Sequence, residues 1–172
     1  FFEAAKLCYA QNPNLHFILA PATDRIRQEL KNILDDLNID IPLTWADNAT
    51  RSAIGAADVV MATSGTVTLE TMLMKKPMVV AYKISWSTHW LVKLFNLVKI
   101  NYFSLPNLLS GKVIVPELIQ GDVTPDNLAK EIMASLSDDS KIIELKNTFT
   151  QLHEEIRLDA NEKAASAVLG LL

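Results

Sequence analysis

The fold is decided by a stretch in the middle of the chain that reads Asp58-Val59-Val60-Met61-Ala62-Thr63-Ser64-Gly65-Thr66. Residues 58–62 form a short apolar run that predicts a buried strand, and residues 65–74 predict a helix. The apolar run Met78–Tyr82 follows Pro77 and predicts the next strand. A strand, a helix and a further strand in this order are typical of a parallel sheet, because parallel neighbours need a crossover connection.

The segment before this stretch repeats the same alternation. Residues 15–20 and 43–46 predict strands, whereas residues 24–37 and 50–57 predict helices. Short strands that are apolar throughout are covered by helices on both faces of their sheet. We therefore predict a protein of the α/β class with a doubly wound parallel sheet.

The segment after Pro116 predicts helices only. Thr124 and Pro125 are suited to the cap and the first position of one helix. Apolar residues at steps of three and four over residues 142–156 predict a second helix, and residues 159–172 predict a third. This helical tail could pack on the sheet, on a further domain or on a second subunit.

Composition bounds the domain organisation. With 172 residues, of which 49% are hydrophobic, the chain can bury one sizeable core, so we expect a single domain over residues 1–172. Its α/β core would cover residues 1–122 and its helical tail residues 123–172. The chain opens on a helical pattern without a methionine, and we expect it to be a piece of a longer protein.

Charge and cysteine content exclude several classes of function. A net charge of −4 argues against nucleic acid as a partner. A single cysteine, Cys8, and three scattered histidines provide no zinc-binding spacing, so we expect no metal and a reducing compartment. No apolar run approaches the roughly 20 residues that cross a bilayer.

The turn after the third predicted strand is the strongest candidate for a ligand site. Ligands of open parallel sheets bind beyond the carboxyl ends of the strands. Ser64, Gly65 and Thr66 stand there, where free amides and a helix dipole suit a diphosphate. Glu70 lies one turn further along and could accept hydrogen bonds from ribose hydroxyls. The alternatives are that Ser64 or Thr66 merely caps the helix and that Glu70 is an exposed surface residue.

A second candidate loop follows the predicted strand at residues 43–46. Asn48, Ala49 and Thr50 precede a helix, so their backbone groups could read the edge of a base. Asn48 or Thr50 could equally be a plain helix cap. Arg51 could pair with phosphate or with a surface carboxylate.

Two further segments carry candidate contacts. Trp86 and Trp90 stand in a lysine-containing aromatic stretch that suits a membrane interface or acyl chains, although a core helix would show the same stripe. Residues 104–109 are an irregular apolar segment with Asn107 at its centre. A buried Asn107 would either hold the local backbone together or face a ligand.

The residues together resemble one family. The resemblance rests on Ala62-Thr63-Ser64-Gly65-Thr66-Val67-Thr68-Leu69-Glu70, on Lys76-Pro77-Met78-Val79-Val80-Ala81-Tyr82 and on Tyr102-Phe103-Ser104-Leu105-Pro106-Asn107-Leu108-Leu109-Ser110-Gly111-Lys112. In these residues the chain is similar to the C-terminal half of the lipid-A-disaccharide synthase family of glycosyltransferases. The family resemblance implies a Rossmann-like domain of the GT-B fold that binds the donor nucleotide, followed by helices.

The resemblance also implies an activity and its partners. The parent enzyme would transfer 2,3-diacylglucosamine from its UDP derivative to 2,3-diacylglucosamine 1-phosphate, in lipid A biosynthesis at the cytoplasmic face of a Gram-negative inner membrane. It implies no metal and no cofactor, and a homodimer is compatible with it. The acceptor domain, with its general base, would precede Phe1 together with a Gly-Ser-Arg element, so this piece alone should bind weakly and catalyse nothing.

Residue roles follow from the same resemblance. Ser64, Gly65 and Thr66 would meet the diphosphate, Glu70 the ribose and the loop at Asn48 and Ala49 the uracil. The resemblance further implies Asn107 in the donor pocket, supported by Lys112 and Glu117. Lys112 stands where the family has arginine, and lysine lacks the planar fork that suits phosphate. Another GT-B transferase, or a non-catalytic nucleotide-binding or assembly domain, is the alternative.

Overall fold

The computed structural model of the chain describes residues 1–63, 65–83, 102–157, 166 and 168. Its strands are short and bounded as follows: β1 Phe17–Leu19, β2 Leu43–Trp45, β3 Val60–Ala62, β4 Met78–Tyr82 and β5 Glu117–Ile119. The helices in the described residues are α1 Phe2–Gln11, α2 Asp24–Asp36, α3 Thr50–Ala56, α4 Thr66–Leu73, α5 Leu105–Ser110, α6 Pro125–Ser137 and α7 Asp139–Ile156.

Every strand pairing in the described residues is parallel, and this confirms the predicted α/β class. β1 pairs with β2, with Phe17 opposite Leu43. β4 lies between β3 and β5, with Val60 opposite Met78 and Val80 opposite Glu117. Helices connect the strands, as parallel pairs require.

The strands form two sheets, in the orders β1-β2 and β3-β4-β5. β1 and β3 are not paired with each other, yet Phe17 and Met61 pack against the same core cluster. In the classic doubly wound order 3-2-1-4-5-6, the two sheets would take positions 3-2 and 4-5-6. Position 1 of that order then falls between β1 and β3.

The central strand β4 separates two apolar cores. Side chains of a strand alternate between the faces of a sheet. Val79 and Ala81 face one core, which α1 and α6 complete with Ala4, Cys8, Leu128, Ala129 and Ile132. Met78 and Val80 face the other core, which holds Met72, Val115, Phe149 and Leu152 from α4, α7 and the segment before β5. Helices therefore cover both faces of the sheet, as the apolar strands predicted.

Two segments differ from the sequence prediction. The expectation that only helices follow Pro116 is wrong, because β5 begins at Glu117. Its three residues are too few to show a period. The interpretation of residues 104–109 as irregular is also wrong, since Leu105–Ser110 is helical. Ser104 caps this helix, and Gly111 ends it at a φ of 66°.

The helical tail agrees with the prediction over its first two helices. Thr124 caps α6 by accepting a hydrogen bond from the Asn127 amide at 3.2 Å. Phe149 and Leu152 of α7 are buried, as the apolar spacing indicated. The third predicted helix, residues 159–172, lies outside the described residues apart from positions 166 and 168. No helix in the described residues is long and apolar enough to cross a membrane.

Candidate nucleotide-binding site

A cavity of about 430 Å³ lies beyond the carboxyl ends of β1 and β2 and beside α4. It is lined by Ala22, Asn48, Ala49, Thr50, Arg51, Ser52 and Glu70. Five of these residues are among the predicted nucleotide contacts. The sequence separates Glu70 from the Asn48 loop by α3 and β3, and the fold brings the two candidate segments to one cavity.

The loop between β2 and α3 presents backbone groups to this cavity. Asn48 adopts a φ of 52°, a left-handed conformation that asparagine tolerates better than most residues. Ala49 takes the cap position of α3, and no side chain makes a cap hydrogen bond there. The alternative in which Asn48 or Thr50 is a plain cap is therefore not what the described residues show. The first amides of α3 remain open to a ligand.

The start of this loop is held from α2. Arg27 pairs with Asp47, and its guanidinium carbon lies 5.2 Å from the centroid of the Trp45 ring. Both contacts are partly exposed, so they contribute little to the free energy of unfolding. Their effect is geometric, because they fix the residue that immediately precedes Asn48.

Glu70 and Arg51 bring opposite charges to the cavity. Glu70 is half-buried on α4, and its carboxylate has no hydrogen bond or ion pair within the described residues. Arg51 is exposed and has no carboxylate partner in that part of the chain. A cavity-facing carboxylate without a partner is a hydrogen-bond acceptor for a hydroxyl-bearing ligand. The free guanidinium suits an anionic group.

The turn before α4 has a backbone geometry that would let a ligand approach the main chain closely. Ser64 lies outside the described residues. Gly65 occupies the cap position with φ 114° and ψ −160°, a conformation that side chains rarely adopt. Thr66 is the first helical residue and is exposed, so it does not act as the cap. Neither Gly65 nor Thr66 lines the cavity itself.

Asn107 is fully buried, and its side-chain amide is saturated. Nδ2 donates to the Val115 carbonyl at 2.9 Å and to Glu117 Oε1 at 2.8 Å. Oδ1 accepts hydrogen bonds from the amides of Ile114 at 2.7 Å and Val115 at 2.9 Å. These four bonds use every donor and acceptor position of the amide. Asn107 thus holds the local backbone together, and a contact with nucleotide would have to displace one of these bonds.

Glu117 supports the same region from β5. Its carboxylate accepts hydrogen bonds from the amides of Phe103 at 2.9 Å and Ser104 at 2.8 Å, and from Ser104 Oγ at 2.6 Å. It therefore binds the start of α5. Lys112 is exposed after α5 and does not line the cavity. Trp86 and Trp90 lie outside the described residues.

Thr68 is a buried neighbour of the Gly65 turn that sequence reasoning did not single out. It is fully buried, and its Oγ1 donates to the Gly65 carbonyl at 2.7 Å. A threonine three residues into a helix carries no signal of its own, because only the fold tells which face is buried. Ala22 and Ser52 were missed as cavity residues for the same reason.

No group of three histidine, cysteine, aspartate or glutamate side chains is placed to hold a metal ion in the described ranges. Cys8 is buried in the core between α1 and α6, and burial raises the pKa of its thiol. Neither observation adds chemistry to the cavity. The arrangement is suited to binding an anionic, hydroxyl-bearing ligand through backbone amides, one cation and one carboxylate.

The fold and the cavity define a parallel α/β domain with a cavity at the carboxyl edge of its sheet, where domains of this class bind their ligands. A family model described as Lipid-A-disaccharide synthetase matches residues 1–169. The chain belongs to this family.

Curated relatives agree with the family match. The chain is 44% identical over 172 residues to the lipid-A-disaccharide synthase of Aeromonas hydrophila, covering 100% of this chain and 44% of the relative. It is 41% identical to the enzyme of that name from Pseudomonas savastanoi and 37% identical to that from Paraburkholderia phymatum, covering 43% of each. The chain therefore spans less than half the length of these relatives.

Proposed function

We propose that this chain is the donor-nucleotide half of a glycosyltransferase of lipid A biosynthesis. The observation that carries the proposal is the cavity that Glu70 shares with residues 48–52, which form the end of the β2–α3 loop and the start of α3. It lies where a doubly wound sheet binds nucleotides. The names of the relatives, lipid-A-disaccharide synthase, support the reaction class.

Each part of UDP has a complementary group. Uracil would take hydrogen bonds from the backbone at Asn48 and Ala49, and the ribose hydroxyls would donate to Glu70. The diphosphate would bind the amides at Gly65 and Thr66, where the α4 dipole is positive. Arg51, which lines the cavity, would add a positive charge. Lys112 would add charge only from a distance.

The main task of this half in the reaction would be to stabilise the leaving group, UDP. The oxygen of the acceptor 6-hydroxyl would attack the anomeric carbon, and the bond from that carbon to UDP would break. The hydroxyl proton would pass to a base outside this chain. The negative charge that develops on UDP would be stabilised by preorganised amides and by Arg51 in this half.

We propose specific substrates on the strength of the family. The donor would be UDP-2,3-diacylglucosamine, and the acceptor would be 2,3-diacylglucosamine 1-phosphate. Their product would be the β(1→6)-linked lipid A disaccharide 1-phosphate. The residues that line the cavity are small, polar or charged, so we place the acyl chains elsewhere in the full protein.

Position 1 of the doubly wound strand order, between β1 and β3, affects whether this domain can bind UDP and transfer sugar by itself. We propose that the longer protein supplies the strand for position 1 and a separate acceptor domain. The carboxyl end of that strand would reach the same edge of the sheet as the cavity. Without it the 172-residue piece would bind UDP weakly and would not transfer sugar.

A lipid partner is supported by charge and exposure. Residues 71–116 contain six lysines and no aspartate or glutamate, although the whole chain is acidic. Within that stretch Leu108, Leu109 and Val113 are exposed by 57%, 42% and 70%. Apolar side chains beside lysines suit an anionic bilayer surface. We propose peripheral attachment to the cytoplasmic face of the inner membrane, with Trp86 and Trp90 as further contacts.

The deciding experiment is calorimetric titration of UDP, with ADP as the control, into this domain joined to its native N-terminal half. Selective UDP binding would support the donor-site assignment and would justify an assay with acylated sugars. Absence of UDP binding to a folded protein would favour the non-catalytic assembly domain. Selective binding without transfer between the proposed lipids would favour a GT-B enzyme with a different acceptor.

A further inference from the structure

We propose that Thr68 is a positioning residue, which sets the direction of the backbone amide that meets the diphosphate. The inference rests on the proposed function and names a residue that acts through Gly65 rather than by touching the ligand. Thr68 is fully buried on the third position of α4. Thr68 contacts the turn at Gly65 and Thr66, called the ligand turn below, and it also contacts α5.

The first contact fixes a peptide plane. The Gly65 carbonyl accepts the hydroxyl of Thr68 at 2.7 Å and the amide of the same residue at 3.1 Å. The Gly65 carbonyl and the Thr66 amide belong to one planar trans peptide and point in opposite directions. Because the carbonyl is held inward by Thr68, the Thr66 N–H is directed outward. Gly65 and Thr66 are both exposed, so this amide faces the side from which an anion would approach.

The Gly65 peptide needs a restraint from Thr68 because glycine is conformationally free. Gly65 has no side chain and no neighbouring atoms within 4 Å of where a Cβ would stand. Glycine has the largest range of backbone conformations, and nothing in its own structure selects the ψ of −160° that sets the direction of its carbonyl. The double hydrogen bond from Thr68 provides the selection. An amide that is already oriented binds an anion without first losing that freedom.

The second contact sets which way the hydroxyl points. The Leu105 amide donates to Thr68 Oγ1 at 3.3 Å. This donor occupies a lone pair of the hydroxyl oxygen and leaves its proton for the Gly65 carbonyl. Leu105 begins α5, whose start is bound by Glu117 through Ser104. Hydrogen bonds on either side of the Ser104–Leu105 peptide therefore connect β5 to the turn at Gly65 through Thr68.

Thr71 provides a matched control on the same helix. It is also fully buried, and its Oγ1 donates to the Val67 carbonyl at 2.7 Å. That bond lies within α4 and does not reach Gly65 or α5. Replacing either threonine by valine removes one buried hydroxyl at nearly constant volume. Only the change at Thr68 removes a hydrogen bond from the Gly65 carbonyl.

The test uses the full-length enzyme with Thr68→Val, Thr68→Ser and Thr71→Val. We expect Thr68→Val to weaken UDP binding about tenfold, the effect of one hydrogen bond. Uridine, which lacks the diphosphate, should bind as it does to the unsubstituted enzyme, when followed by ligand-observed NMR. Thr68→Ser retains the hydroxyl and should retain UDP affinity, and Thr71→Val should retain it as well. Thr68→Cys, a weak donor of similar size, should lose affinity to an intermediate degree if Thr68→Val does not fold.

The outcomes separate this inference from the proposed function. Unchanged UDP affinity in folded Thr68→Val overturns the inference and leaves the donor site standing. Equal losses for UDP and uridine, or an equal loss in Thr71→Val, also overturn it, since they indicate a general effect on packing. Absence of UDP binding in the unsubstituted enzyme overturns the proposed function itself and this inference with it.

Discussion

The side-chain amide of Asn107 donates to the Glu117 carboxylate across 2.8 Å, and this bond ties α5 to β5. The same amide holds the backbone of Ile114 and Val115. Replacing Asn107 by leucine keeps the volume and leaves several buried polar groups without partners. We expect the free energy of unfolding, measured in urea, to fall by about 3 kcal/mol. The exposed Asn147→Leu should change it by less than about 0.5 kcal/mol. Equal effects of the two changes would contradict the role of Asn107.

Glu70 should contribute to affinity and not to stability, because its carboxylate has no partner in the described residues. In the full-length enzyme, Glu70→Ala is expected to weaken UDP binding about tenfold to a hundredfold. The urea midpoint should be unchanged. The exposed Glu144→Ala is the control and should bind UDP normally. Full UDP affinity in folded Glu70→Ala would remove Glu70 from the site.

Gly65 should resist substitution for conformational reasons rather than for lack of space. Apart from Gly65 and its two chain neighbours, no atom of the described residues lies within 4 Å of where a Cβ at Gly65 would stand, yet the φ of Gly65 is 114°. Gly65→Ala is therefore expected to cost about 1–3 kcal/mol of unfolding free energy and to weaken UDP binding. Gly121 has equal space and no positive φ, so Gly121→Ala should be nearly neutral in both measurements. A neutral Gly65→Ala would show that the turn accommodates a side chain.

Asp138 at the junction of α6 and α7 should make stability depend on pH in strongly acidic solution. Hydrogen bonds from the Ser140 hydroxyl and the Lys141 amide lower the pKa of Asp138 from 3.8 to about 2. A carboxyl group with a lowered pKa stabilises the folded state above its unfolded pKa, and this contribution is lost as the pH falls toward 2.

The matching measurement is urea unfolding of Asp138→Asn and of the unsubstituted chain across this range. The stability difference between them should be constant near neutral pH and should shrink between pH 3.8 and about 2. Asp139→Asn, a change at the neighbouring exposed residue, should show no such window. A difference that is independent of pH would mean that the Asp138 charge does not contribute.

The exposed apolar residues in and just after α5 provide a test of the membrane proposal. Leu108→Glu in the full-length enzyme is expected to lower binding to phosphatidylglycerol-containing vesicles about tenfold in a flotation assay. Ile143 on α7 is exposed to a similar degree, 61% against 57% for Leu108. Ile143→Glu is therefore the matched control. Equal retention on vesicles by both variants would place the membrane contact elsewhere.

The parts of the fold that could be predicted are those with strong local signals. β4 has the bounds that the sequence indicated, because its buried apolar run is framed by Pro77 and Lys83. The cap at Thr124 was recognisable from the proline that follows it. β5 and α5 were missed because three and six residues are too few to show a period, and tertiary hydrogen bonds from Glu117 determine the start of α5.

The sequence predicted those parts of the candidate site whose position is determined by the order of strands and helices. The rule that ligands bind beyond the carboxyl ends of strands selected Asn48 and Glu70, and both line one cavity. It could not distinguish the saturated amide of Asn107 from a free one, because that depends on hydrogen bonds made after folding. It also could not find Thr68, whose importance comes from which carbonyl its hydroxyl reaches.

The division of the core by β4 has a consequence for how the domain tolerates change. α4, which presents the ligand turn, shares its core with Phe149 and Leu152 of α7. α1 and α6 belong to the opposite core around Cys8. We expect substitutions that loosen the Phe149 core to disturb the turn at Gly65 more than substitutions in the Cys8 core do, because α4 packs in the Phe149 core. The Cys8 core is therefore the better layer to alter when the stability of the domain is to be raised.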